Sequence, residues 1–206
     1  MIRSALFGAL LLGAAPALAE TQTATFAGGC FWCVEADFES VEGVGDAVSG
    51  FTGGTTSDPY YTRSGDHLEA VEIPYDPDVV DYETLVHMFL RSIDPLDAGG
   101  QFCDRGLEYT TAIFPATPEE EAIAEAAIAQ AEAELGQAVA TKIIPAGTFY
   151  PVDDFHQDYY KSEGRLGLTS VGIGVTKATA YERYRNRCGR DQRVAEIWGD
   201  AAPFVK

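Results

Sequence analysis

A strand-like run, TQTATFA, leads into Gly28-Gly29 and then directly into a helical pattern, FWCVEADFESV, that begins at Phe31. Only a β-turn-α unit fits this order, with the glycines supplying the sharp turn between the two elements. Further strand signals lie in GDAVSGF, in the alternating HLEAVEIPY and in YTTAIF, and a second helical pattern in YETLVHMFLRS. TPEEEAIAEAAIAQAEAELG is the clearest helix: Thr117 caps it, Pro118 suits its first position, Glu120 completes a capping box and Gly136 ends it. Its glutamates read as a solvated face. Strands interleaved with helices predict a mixed, layered α/β or α+β fold, with SDPYYTRSGD and DPLDAGGQFCDRG as loops. Beyond Ser162 the pattern thins, apart from a short helix around TKATAYERYRNR.

Residues 1–19 combine Arg3, an apolar run and small residues at Ala17 and Ala19, the pattern of a cleaved secretory signal. Residues 20–206 are then one exported domain, expected in the periplasm, and no later segment approaches the ~20 apolar residues of a membrane span. Without Arg3 the chain carries 13 basic and 32 acidic residues, a net charge of −19. Such a polyanion is a poor partner for nucleic acid and for anionic lipid. Its four cysteines would meet an oxidising compartment, where disulfides are permitted and a free thiol needs a reason or a reductant.

Three chemistries fit Cys30-Phe31-Trp32-Cys33: a redox dithiol, half of a metal site, or one nucleophile beside a second thiol. Cys30 enters the first turn of a helix, where backbone N–H groups and the helix dipole favour a thiolate, so its pKa is expected below the ~8.5 of a free thiol. Cys33 reads as a resolving partner, a small core residue or one end of a structural disulfide. No second C-x-x-C or close histidine pair completes a zinc site, because Cys103 and Cys188 are single. Adjacent helical residues do not share a face, so one of Phe31 and Trp32 is expected to leave the core, where it could wall a pocket beside the thiolate.

GGCFWCVE, followed in order by GFTGG, HLEAVEIPYDP, FCDRGLEYTTAIFPATPEE and DDFHQDYY, resembles the A-type peptide-methionine sulfoxide reductases over about Phe26 to Tyr160. The resemblance implies that Cys30 attacks the sulfoxide sulfur of the S epimer and becomes a sulfenic acid, and that Glu69, kept neutral by burial, protonates the sulfoxide oxygen. It implies that Phe31 and Trp32 wall the substrate methyl, that Asp104 and Tyr109 hold the sulfoxide by hydrogen bonds, and that His156 supports the site; His87 is read as structural. Where the family has a tyrosine this chain has Phe51, so one hydroxyl near the sulfoxide oxygen is expected to be missing, a loss of about 100-fold unless the other tyrosine compensates. Asp66, Leu68 and Glu108 also depart from the family pattern.

Cys188, beside Gly189 and among Arg183, Arg185, Arg187 and Arg190, is the preferred resolving thiol, since cationic neighbours and a glycine pivot favour attack. Cys103 and Cys33 remain secondary thiols or a static pair. The implied fold is an α+β two-layer sandwich with a ferredoxin-like core and an irregular C-terminal tail, 162–206. A monomer is expected, with methionine sulfoxide as substrate, a thioredoxin-like reductant as partner, and neither metal nor organic cofactor. Two other readings compete: a periplasmic thiol-disulfide oxidoreductase working through Cys30 and Cys33, and a disulfide-stapled binding domain.

Overall fold

The structure, a computed structural model, describes residues 20–169 and 172–205; the expected signal segment, 1–19, lies outside the described residues. The elements run β1 (Gln22–Gly28), α1 (Phe31–Phe38), β2 (Val48–Thr52), β3 (Leu68–Tyr75), α2 (Tyr82–Leu90), β4 (Gly100–Gln101), β5 (Asp104–Arg105), β6 (Thr111–Ile113), α3 (Pro118–Leu135), β7 (Lys142–Ile143), β8 (Tyr150–Pro151), β9 (Leu168–Thr169), β10 (Gly172–Ile173), α4 (Lys177–Cys188) and α5 (Arg190–Trp198). A central sheet of order β7-β6-β1-β3-β2-β8 is antiparallel except for the β6/β7 pair. The layered, mixed α/β expectation holds.

Strand alternation assigns the two faces. From β1 and β3, Phe26, Val71, Ile73 and Tyr75 point into the main core, where they meet Val34 and Phe38 of α1 and Leu85 and Phe89 of α2. Ala27, Leu68 and Ala70 point the other way, into a smaller cluster closed by Phe114, Ile144 and Phe149. On α3, Ala124, Ala127 and Ala131 are buried while its glutamates face outward, as expected. Thr117 accepts the N–H of Glu120, and Glu120 reaches back to the N–H of Ala116, one residue earlier than a standard capping box. Gly136 ends the helix at φ 65°.

The chain beyond Ser162 is less irregular than expected. It holds a short hairpin and two helices, and α5 was not anticipated. These helices carry few apolar residues, and polar bonds dock them instead. Arg185 of α4 donates to Asp37 of α1 (2.8 Å) and to Asp191 (2.6 Å), and Arg190 of α5 donates to the carbonyls of Gly28 (3.2 Å) and Ser92 (3.0 Å). Trp198 and Phe204 complete the apolar contact with the main core. No helix among the described residues is long and apolar enough to cross a membrane.

Candidate active site

A cavity of about 60 Å³ opens over the start of α1, and Cys30, Phe31, Trp32, Tyr61, Glu69, Asp104, Tyr109 and Tyr184 line it. Local sequence explains how such distant residues meet. Gly29, at φ +80°, turns the chain from β1 into α1, and a Cβ there would stand 2.5 Å from Cβ of Gln101. Glycine therefore lets the β4–β5 hairpin press against the turn, which brings Asp104 to Cys30. The Gln101 side chain fixes that segment by accepting the Asp94 N–H (2.9 Å) and donating to the Asp94 carbonyl (2.8 Å).

Glu69 occupies the core-facing parity of β3, in line with Val71, Ile73 and Tyr75, and is only 3% exposed. Its carboxylate accepts the N–H of Phe31, the first residue of α1, at 3.0 Å. Burial pushes its pKa well above the usual carboxylate value, with Glu108 and Asp104 adding to the rise and the Phe31 N–H opposing it. Burial thus favours the protonated form of Glu69, a carboxyl suited to donating a proton.

The expectation of a lowered Cys30 pKa is overturned. The first N–H of α1 goes to Glu69 instead of to sulfur, and Cys30 is buried. Burial raises the thiol well above its ordinary value, and its hydrogen bond to Cys33 and the charges of Cys33, Glu69 and Asp104 raise it further. Cys33, behind it, is lowered, first by the hydrogen bond from Cys30 and then, against the cost of its own burial, by Arg190 and Arg185. Burial therefore favours the thiol form of Cys30 over the thiolate.

Phe31 and Trp32 both border the cavity, although Phe31 also packs in the core. Trp32 stacks on Tyr159 (centroids 3.9 Å apart). Phe51 does not line the cavity. It pairs with Glu69 across β2 and β3 and packs behind Phe31 (5.9 Å). Three tyrosines, Tyr61, Tyr109 and Tyr184, line the cavity. Burial, above all, raises the pKa of each of the three phenols, which stay hydrogen-bond donors.

Tyr61 and Tyr184 were not anticipated. Tyr61 sits on a loop without periodicity, and its 39% exposure marks it as the rim of the cavity. Two departures from the family pattern brace that loop. Asp66 accepts hydrogen bonds from the backbone and hydroxyls of Thr55 and Thr56 (2.6 to 2.8 Å), and Glu108 accepts the hydroxyl of Ser64 (2.5 Å). His156, its pKa lowered by burial, stacks on Tyr61 at 3.8 Å and so supports the rim. His87 lies on α2 and does not line the cavity. The signal that marks Glu69 in sequence is a carboxylate at a core parity; Tyr184 carried none.

Asp104 accepts a hydrogen bond from the Tyr184 hydroxyl, and burial raises its pKa. Cys188 is bonded to Cys103, so it is not a free thiol in this structure; Cys30 and Cys33 are the free cysteines. A wider cleft of about 320 Å³ beside Arg185, Asn186 and Asp191 contains no cysteine.

Comparison with known proteins gives the family. The family described as "Peptide methionine sulfoxide reductase" matches residues 22–189. The chain is 44% identical over 186 residues to a peptide methionine sulfoxide reductase MsrA 2 of Rhizobium meliloti (89% of this chain, 87% of the relative). It is 40% identical over 185 residues to the MsrA of Bacillus subtilis (86% and 96%). Among solved structures, the methionine sulfoxide reductase A of Corynebacterium diphtheriae superposes with a TM-score of 0.61 at 30% identity, covering 75% of this chain and 82% of that one.

Proposed function

The chain belongs to the peptide methionine sulfoxide reductase family, and on that premise we propose that it reduces the S epimer of methionine sulfoxide, free or in proteins, to methionine. The observation that carries the reading is a buried thiol, Cys30, sharing one small aromatic-walled cavity with a buried carboxyl, Glu69. Phe31 and Trp32 receive the S-methyl group, and the phenols of Tyr61 and Tyr109 orient the sulfoxide oxygen. Glu69 gives its proton to that oxygen, which makes the sulfur electrophilic. Cys30 attacks the sulfur as its own proton leaves toward Cys33 or the Glu69 carboxylate. The new sulfur–sulfur bond displaces the oxygen, which leaves as water with the protons of Glu69 and Cys30; water then adds to the Cys30 sulfur, returning a proton to Glu69, and the sulfur–sulfur bond breaks to release methionine and leave Cys30 as a sulfenic acid.

Cys33, the free thiol one helical turn from Cys30, condenses with the sulfenic acid: a disulfide forms and water leaves. An external dithiol, of the thioredoxin class, then takes up the oxidation and returns two thiols. A general thiol-disulfide oxidoreductase is disfavoured by the burial and raised pKa of Cys30, since such enzymes need an exposed, acidic thiol.

We further read the strands β1, β2, β3 and β6 with α1 and α2 as a ferredoxin-like core, a reading supported by their antiparallel order β6-β1-β3-β2. The protein is proposed to act after export, on the support of the sequence of residues 1–19, and as a monomer. The test is turnover of separated S and R epimers of a blocked methionine sulfoxide with dithiothreitol. Consumption of S alone, with a loss on the order of 10⁴-fold or more in Cys30→Ser, is expected. Equal consumption of both epimers, or activity that survives Cys30→Ser, overturns the reading.

A further inference from the structure

The cysteines divide into two pairs with different surroundings. Cys30 and Cys33 are buried thiols under the cavity, while Cys103 and Cys188 are joined across 85 residues of sequence with Cα atoms 5.0 Å apart. Neither bridged cysteine lines the cavity, yet each is tied to a residue that does. Cys103 immediately precedes Asp104 at the start of β5, and Cys188 lies four residues after Tyr184 on α4, on the same side of the helix. The Tyr184 hydroxyl in turn donates to the Asp104 carboxylate. Bridge and hydrogen bond are therefore two links between the same two backbones, the outer one covalent and the inner one facing substrate.

Other bonds fix this junction without reaching the cavity. Arg190 stacks over the Phe102 ring (4.9 Å), and Arg193 donates to Asp94 (2.7 Å). The Cys30 sulfenic acid would find its nearest thiol in Cys33, whereas the Cys188 sulfur is already committed.

We propose that Cys103–Cys188 is a positioning disulfide: it stays oxidised through turnover and holds the Asp104–Tyr184 pair against the bound sulfoxide, while Cys30 and Cys33 alone make and break the turnover disulfide. This rests on the reading of the cavity as a sulfoxide site. It also separates the roles of the four sulfurs, two that exchange electrons and two that set affinity.

The test uses the mature chain with thioredoxin, thioredoxin reductase and NADPH, and compares wild type, Cys103→Ser/Cys188→Ser, Tyr184→Phe and the triple variant. Without the bridge, KM for the sulfoxide is expected to rise about tenfold with kcat within about twofold, as for loss of one positioned hydrogen bond. Tyr184→Phe should give the same rise, and the triple variant no more. Alkylation and mass analysis before and after a single turnover without reductant should show Cys30 and Cys33 oxidised and Cys103–Cys188 unchanged.

Loss of thioredoxin-supported turnover in the double serine variant, with a sulfenic acid trapped on Cys30, would make Cys188 or Cys103 the resolving thiol and overturn the proposal. So would an unchanged KM. If wild type forms no methionine at all, the sulfoxide reading fails by itself. The clamp is then judged by amide hydrogen exchange of residues 100–109: faster exchange in the double serine variant upholds it, and equal exchange ends it.

Discussion

The floor and the wall of the cavity are built in different ways. The floor, Cys30, Phe31 and Glu69, belongs to β3 and the start of α1, and strand pairing fixes it: β3 lies between β1 and β2 with an unbroken antiparallel register. The wall, Tyr61, Asp104 and Tyr184, stands on a loop, a two-residue strand and a late helix, and side-chain bonds fix it. Backbone ladders place the groups whose bonds change; side-chain links place the groups that hold the ligand. Floor substitutions should therefore lower kcat and wall substitutions raise KM.

The strongest challenge to that division is at the joint between the two. Arg185 ties α4 of the wall to Asp37 of α1, with side chains 7% and 1% exposed. Arg185→Met leaves the Asp37 carboxylate with only the longer contact to Arg190 (3.8 Å), and should cost about 3–5 kcal/mol in urea denaturation. A loss under ~1 kcal/mol would show that wall and floor fold without this link.

On the floor, Glu69→Gln should lower kcat about 10²–10³-fold with little change in KM. The pH profile gives the sign. Glu69 acts protonated and its pKa is raised, so wild-type kcat holds on the acid side and falls as pH rises through that raised value. The glutamine variant should lack this limb, which a pH series of kcat reads directly. On the wall, Tyr61→Phe should raise KM about three- to tenfold and leave the limb in place. A dominant effect on kcat there would move Tyr61 into the proton-transfer machinery and erase the distinction.

The same division governs what could be read from the sequence. The floor was legible because β1, the glycine turn and α1 are contiguous, and α3 because its caps and alanine face are local signals. Glu69 was placed by family likeness, though its parity with Val71 and Ile73 on an alternating strand already aimed it at the core. Of the wall, Asp104 was named by family likeness and α4 by a short helical pattern, but Tyr61, Tyr184 and α5 were not legible. The helices α4 and α5 are docked through Arg185 and Arg190, buried cations that a search for apolar stripes counts as solvent-facing. The Cys30 pKa was misjudged because the first N–H of a helix serves one acceptor at a time, and a residue 38 positions away takes it.

The Arg190 contact also reaches back in time. The Gly28 carbonyl, at the end of the first strand to emerge during synthesis, is bound by a side chain made 162 residues later. That bond cannot form until nearly the whole chain has been translated. A nascent chain can pair β1 with β3 and β6 well before then, but the turn that carries Cys30 stays without its buried guanidinium. The turn that carries Cys30 is thus completed only when the C-terminal helix docks on it.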